Sequence, residues 1–491
     1  MKSKIFVFSI LLLTISTLGW TEDPVLPDNE SIIPEGSSAD YLIASQSASE
    51  GLVETRQAIE EALQDFVTVN GNKLDLNGQE YKFSHANNYY LFYKPDYMID
   101  EIFQDAKSLG LNTIRTWGFC DGMYKEGVSF QPMPGVYDES GFLKMDYIIN
   151  KARESGMKLI IPFVNNWDDF GGINQYVEWK LGRTPTYAEH DLFYADDIIK
   201  GWYRDYVSYF LNRTNSLTGI RYKDDPTILT WELGNEPRAY TDYNGSILNP
   251  WINEMAEYIK GIDSNHLLST GIEGWYGYSD GVDFVGSQSS PYIDIATFHL
   301  FPDYYNLNDA QALQWIQDRV SDAHTILNKP VYIGEFGKMV DRDAVDARTQ
   351  MKARDSLYTA IYNTSASIGT NGLGFWILYG DDYPDYDNFG VYQPADRSTC
   401  RIIKTGSALF VSTSSSGNGG GNGKPDKPGK NQSLSTTSTE SIETEYNSTD
   451  SGNTQDDALW LGIRERRLSK KLLLEYYDEL NPIPGTFEQL D

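Results

Sequence analysis

Glu236 and Glu335 are the two side chains of this sequence best placed to do chemistry. Glu236 lies in the run Trp231-Glu-Leu-Gly-Asn-Glu-Pro-Arg238, entered from the apolar stretch Thr227-Ile-Leu-Thr. Glu335 lies in Lys329-Pro-Val-Tyr-Ile-Gly-Glu-Phe-Gly337. Each acid sits just past a strand-like run and next to a Pro or Gly that turns the chain. Two carboxyls facing one another, one protonated and one ionised, are what cleavage of a glycosidic bond requires. Mutual repulsion raises one of the two pKa values and so supplies the acid. A single glutamate at a strand end is usually a rim residue or an ion-pair partner. The pair, each member on its own strand and turn, is what points to catalysis.

The segments around these acids predict a barrel. Strand patterns fall at 82–87, 113–118, 159–164, 228–233, 267–271, 295–299, 331–335 and 374–378, and helical patterns lie between most of them at 95–109, 144–155, 197–214, 250–262, 310–327 and 344–367. Eight strands alternating with helices predict an α/β fold, a closed (β/α)8 TIM barrel with its catalytic groups at the carboxyl ends of the strands. A doubly wound open sheet is the alternative, but no glycine-rich phosphate turn follows the first strand.

The chain of 491 residues extends beyond this domain at both ends. Lys2 and Lys4 precede an apolar run at 5–15, and Thr17 and Gly19 are small residues placed for cleavage. This predicts a signal peptide over 1–19 and a secreted, extracellular protein. An acidic N-terminal extension follows over 20–63, and the catalytic domain occupies 64–411. Residues 412–457, rich in Ser, Thr, Gly and Asn, predict a flexible linker. Over 458–491 the chain reads as an amphipathic, basic C-terminal helix segment, suited to a membrane surface, a partner or the acidic main domain.

A formal charge of −30 and a pI near 4.5 argue against nucleic acid and anionic lipid as partners and leave neutral polysaccharide open. No membrane span is expected past the leader, and a monomer is expected. The 34 Tyr and 11 Trp can fill a core or line a sugar cleft. Cys120 and Cys400 are free to form one disulfide or to remain two separate thiols. Asn29, Asn212, Asn244, Asn363, Asn431 and Asn447 each open a glycosylation sequon. No His-Glu-x-x-His pattern or cysteine cluster calls for a metal, and no cofactor is expected.

The sequence resembles glycoside hydrolase family 5, and within it the endo-β-1,4-mannanases of fungi and plants. The resemblance rests on Asn235-Glu-Pro237 and Gly334-Glu-Phe-Gly337, and also on Asn87-Asn-Tyr-Tyr90, Arg115-Thr-Trp-Gly118, Asn165-Asn-Trp-Asp-Asp-Phe-Gly-Gly172, Tyr222-Lys-Asp-Asp-Pro-Thr-Ile228 and Thr297-Phe-His299. These follow in order over roughly residues 64–411. The resemblance implies that Glu236 is the acid/base and Glu335 the nucleophile. It implies that Asn235 holds the sugar 2-hydroxyl, that Arg115 lowers the pKa of the nucleophile, and that His299 sits between the carboxylates. Trp376 becomes the stacking platform under the sugar, and Trp117, Asn166 and Trp167 line neighbouring subsites. The implied substrate is a β-mannan, cut internally with retention; an exo-β-mannosidase, a β-glucanase or a weakly active, carbohydrate-binding barrel are the alternatives.

Three positions depart from the family pattern. Phe301 stands where the family has a tyrosine that bonds the nucleophile, Tyr305 replaces a tryptophan, and Ala239 replaces a frequent cysteine.

Overall fold

The computed structural model describes residues 66–412, apart from Ser279. The predicted leader, N-terminal extension, linker and C-terminal helix lie outside the described residues. Three short antiparallel strands come first: β1 (Thr68–Asn70), β2 (Lys73–Leu76) and β3 (Gln79–Tyr81). Eight parallel strands follow: β4 (Phe83–Asn87), β5 (Thr113–Arg115), β6 (Lys158–Pro162), β7 (Ile228–Glu232), β8 (Leu267–Ser269), β9 (Ala296–Leu300), β10 (Val331–Phe336) and β11 (Gly372–Phe375).

Except at β8 and β9, each barrel strand pairs with its neighbours in sequence, and β11 returns to pair with β4. The seam between β8 and β9 has no regular ladder. It is crossed instead by backbone hydrogen bonds from Asp294 N and Ile295 N to Leu268 O and from His299 N to Glu273 O. The predicted (β/α)8 barrel is the observed fold, and all eight strand predictions overlap a barrel strand.

The principal helices pack around the sheet: α1 (Asp96–Ser108), α2 (Glu139–Ser155), α3 (Gly172–Leu181), α4 (Asp197–Asn212), α5 (Leu248–Ile262), α6 (Asp309–Asp322), α7 (Ala347–Ile368) and α8 (Arg397–Ser412). Each of α1 to α7 buries an apolar stripe, as with Met98, Ile99, Ile102, Phe103 and Ala106 of α1. The strands are buried on both faces, so they read as apolar runs rather than alternating ones.

The barrel interior changes character along its axis. At the amino-terminal end Phe83, Ile160, Leu229, Leu267, Ile295 and Tyr332 form an apolar plug with Val67 and Leu74, closed from below by the β1–β3 sheet. Two residues along β4, with the side-chain period of a strand, the inward residue becomes His85, then Asn87. That polar upper layer carries the site.

Cys120 and Cys400 are both buried and unpaired. No described helix is long and apolar enough to cross a membrane.

Candidate active site

Glu236 is placed by a backbone that few residues adopt without support. Its φ is 55°, in the left-handed region that an ordinary side chain disfavours by ~1 kcal/mol or more. Hydrogen bonds fix it there, from Glu236 N to Gly271 O (2.8 Å) and from Asn235 N to Val164 O (2.7 Å). Gly271 must be glycine: its φ is +77°, and a Cβ there would lie 1.8 Å from Gly234 O. Strain at a position over-determined by its surroundings is common where a side chain must be aimed. Glu335 needs no such device, because it lies within β10, beside His299 of β9 in register.

These placements bring the two acids together. One carboxylate oxygen of Glu236, one of Glu335 and a ring nitrogen of His299 lie within 4.8 Å of one another. His299 Nδ1 is 2.6 Å from Glu236 Oε1 and 3.7 Å from Glu335 Oε2. The Trp167 indole N–H donates to Glu236 Oε2 at 2.6 Å. Arg115 lies beneath them, fully buried. Its Nη1 donates to Glu335 (2.5 Å) and to Asn87 (3.1 Å), its Nη2 to Asn235 (2.9 Å), and its Nε to Glu232 (2.9 Å). Asn235 in turn donates to Asn165 Oδ1 at 3.0 Å. Tyr332 donates its hydroxyl to Glu232. The result is one continuous polar network under the two carboxyls.

Burial comes first among the influences on both acids. In Glu335 it prevails over the charges of His299 and Arg115 and, with the charges of Glu236 and Glu232, pushes the carboxyl up to about 7. In Glu236 burial also raises the pKa, but the hydrogen bond and charge of His299, helped by Arg238 and Trp167, hold it below the usual carboxylate range. Arg115 therefore acts on Glu335 in the expected direction, yet the net displacement is upward, because a carboxyl among so little water loses more than one guanidinium returns. The two acids influence each other's titration, and burial with the charges of Glu236 and Glu232 holds Glu335 above the usual carboxylate range.

The acids open onto a cleft of about 930 Å3. Trp376 and Trp117 line it, with ring centres 5.8 Å apart, and Tyr89 stacks on Trp376 at 5.8 Å. The Trp376 indole N–H donates to Asp387 at 2.7 Å. Burial, with the neighbouring Asp385, raises Asp387 to about 6.

The expected site residues do not all reach the cleft in the same way. Glu236, Glu335, Asn235, Trp117, Trp167 and Trp376 line it. Arg115 and His299 are fully buried and touch the glutamates rather than the open space. Asn166 is also buried, with its amide turned to Tyr240 at 3.4 Å, and the cleft wall at this point is Asn165 instead. Glu232, Asn87 and Asp387 were missed by sequence reasoning. A charged residue inside the otherwise apolar strand 228–232 was the available signal for Glu232. Asp387 left none, because it lies on a loop.

Phe301 lies at the cleft wall, edge-on to Phe389 at 5.2 Å. Among the described residues no hydroxyl donates to Glu335. Tyr305, the nearby candidate, turns its hydroxyl to Glu273 at 3.2 Å. Ala239 is buried, and its position leaves no thiol in the loop after Glu236.

A (β/α)8 barrel with two facing glutamates, at the ends of its fourth and seventh strands, has the architecture of a glycosidase. The family description "GH family 5 beta-mannosidase-like" matches residues 64–389. Mannan endo-1,4-beta-mannosidase 5 of Solanum lycopersicum is 36% identical over 369 residues, covering 70% of this chain and 88% of the relative. Mannan endo-1,4-beta-mannosidase 3 of Arabidopsis thaliana is 37% identical over 370 residues, covering 69% and 88%. The endo-1,4-beta-mannanase structure from Rhizomucor miehei superposes with a TM-score of 0.63 at 32% identity, over 70% of this chain and 99% of that one. An endo-beta-1,4-mannanase structure from Thermotoga petrophila gives 0.62 at 36% identity, over 69% and 78%. This chain belongs to glycoside hydrolase family 5.

Proposed function

We propose that the protein is an endo-β-1,4-mannanase, hydrolysing internal β-1,4-mannosidic bonds of mannan, glucomannan or galactomannan with retention of configuration. The observation that carries this is the approach of the Glu236 and Glu335 carboxylate oxygens to within 4.8 Å, which fits the ~5–5.5 Å carboxyl separation of retaining enzymes rather than the ~6.5–9.5 Å of inverting ones. The names of the plant relatives support mannan as the polymer. A cleft with walls on either side of the acids, from Tyr386 to Arg238, suits a chain lying through it and hence internal cutting.

In this reading Glu335 attacks the anomeric carbon while Glu236 protonates the departing oxygen. Glu236 then deprotonates the water that hydrolyses the glycosyl–enzyme bond. Catalysis therefore needs the shared proton on Glu236, and His299, in reach of both acids, is placed to bias that exchange. Arg115 favours the ionised form of Glu335 and aims it, Asn235 meets the 2-hydroxyl, and Trp376 carries the sugar ring on its apolar face. Secretion through the 1–19 leader, a catalytic domain over 64–411 and a monomeric state complete the reading.

Purified protein on matched β-mannan and β-glucan oligosaccharides is the test. Mannohexaose cut at internal bonds, well ahead of cellohexaose, is the expected result. Equal or faster cutting of cellohexaose, or release of single mannose from one end, moves the protein to another activity of the family. Binding of mannan without turnover is the outcome the missing hydroxyl at Phe301 would favour.

A further inference from the structure

Glu232 is a charged residue of the polar network that neither attacks, protonates nor binds. It sits on β7, fully buried, and it does not line the cleft. A buried acid is costly unless it is paired. Among the described residues its ion pair is with Arg115 alone.

Arg115 divides its N–H groups between two acids. Nε (2.9 Å) and Nη2 (2.7 Å) reach Glu232 Oε2, and Nη1 reaches Glu335 Oε1 at 2.5 Å. Asn87 and Asn235 take the remaining directions at 3.1 and 2.9 Å. Burial works against the guanidinium charge, and Glu232 does more than Glu335 to offset it. A cation this close to two carboxylates does not act on either alone. Glu232 is held in turn. Tyr332, three residues before Glu335 on β10, donates its hydroxyl to Glu232 Oε1. Gly271 leaves it room, since a Cβ there would lie 3.3 Å from Glu232 Oε2.

A partner that only satisfied the fork need not be charged, because Asn87 and Asn235 already accept from Arg115 with neutral oxygens. A carboxylate does two things more. It takes up part of the positive charge that would otherwise fall on the nucleophile, and it fixes the plane of the fork from which Nη1 reaches Glu335. Around Glu335 burial is the leading influence, and the charges of Glu236 and Glu232 act upward with it, against those of His299 and Arg115.

We propose that Glu232 is a positioning residue for the nucleophile: it anchors Arg115 and shares its charge, and so limits how strongly Arg115 favours the ionised form of Glu335. The proposal rests on the reading of Glu335 as the nucleophile.

The test is the pH dependence of kcat/KM on 2,4-dinitrophenyl β-mannobioside. Its leaving group departs without a proton, so the rise of rate with pH reports ionisation of the nucleophile. Glu232→Gln keeps an oxygen for Arg115 and removes the charge. Arg115 then acts on Glu335 undivided, and the midpoint of the rise should move down by about one pH unit. A folded Glu232→Gln protein whose kcat/KM falls by the same factor at every pH, with the midpoint unmoved, would make Glu232 a structural partner and overturn the proposal, as would a midpoint that moves up. If Glu232→Gln does not fold, Tyr332→Phe decides. Without the hydroxyl Glu232 draws more on Arg115, so the midpoint should move up; an unmoved or lowered midpoint would overturn the proposal. Turnover of this substrate that survives Glu335→Ala would instead remove the nucleophile reading, and the proposal with it.

Discussion

Replacing Arg115 by Met removes the guanidinium that bonds the nucleophile and leaves an uncharged, unbranched side chain. Arg115 bonds Glu335 at 2.5 Å and Glu232 at 2.7 Å, with Arg115 and Glu232 fully buried. A guanidinium this close lowers a carboxyl pKa by roughly one to three. Without it Glu335, already up at about 7, binds its proton more tightly still. The pair then holds its single proton on Glu335 more often, and the productive arrangement, with the proton on Glu236, becomes rarer by about 10- to 1000-fold. The same change makes the second proton harder to lose. The expected signature is therefore specific: kcat/KM falls throughout, while the alkaline limb of its pH profile moves above its wild-type position. Stripping a partner from two buried carboxylates also costs ~3–5 kcal/mol of stability, so thermal unfolding must show that the variant is folded at the assay temperature. Arg115→Lys keeps a charge but not the fork that bridges Glu335, Glu232 and Asn235, and should keep more stability than activity. A folded Arg115→Met protein with kcat/KM within about twofold of wild type, or with its alkaline limb unmoved, would refute this account of the network.

Wild-type activity should be bell-shaped, held below neutrality and lost as pH rises through about 7, where the pair gives up its last proton; a flat profile from pH 5 to about 9 would contradict a shared proton. Stability should follow a related course. Glu335, Asp105 and Asp387 have folded pKa values raised to about 7, 7 and 6, so the folded state binds more protons than the unfolded state between the usual carboxylate range and neutrality, and stability falls as pH rises through that window. Asp396, lowered to about 2 beside Arg342 and Arg354 in its buried site, acts oppositely and is lost in strong acid; Tm should thus be higher near pH 5 than near pH 8, read by calorimetry. Phe301→Tyr should raise kcat/KM on the order of tenfold by supplying Glu335 with a hydroxyl donor, and no gain would mean that the new hydroxyl does not reach it. Asp387→Asn, which weakens the hold on the Trp376 indole, should raise KM for short mannan oligosaccharides more than it lowers kcat.

The barrel was legible because strands buried on both faces write long apolar runs, and eight of those runs alternate with helix patterns. What escaped was set by other forces. The β1–β3 sheet is made of short, largely exposed strands whose sequence Thr68-Val-Asn70 carries little apolar signal, and it exists because the barrel's apolar end must be covered. Helices α3 and α8 escaped as well; α3 is ten residues long and opens at Gly172. At the site, residue types and positions announced Glu236 and Glu335, but the direction of their pKa values depends on burial, which no motif states. The exchange of Asn166 for Asn165 at the cleft wall turns on which way one side chain leaves the backbone. Asp387 reaches Trp376 through loop geometry alone.

The division of labour between the acids is tested most directly by chemical rescue with azide, using an aryl β-mannoside with a good leaving group. Glu335→Ala has lost its nucleophile, so azide should take that place and give the α-mannosyl azide. Glu236→Ala still forms the glycosyl enzyme, so azide should attack it from the opposite face and give the β-azide. The account predicts that pair of products, identified by NMR. The reverse assignment, or rescue of neither variant while wild-type protein turns over the same substrate, would contradict it.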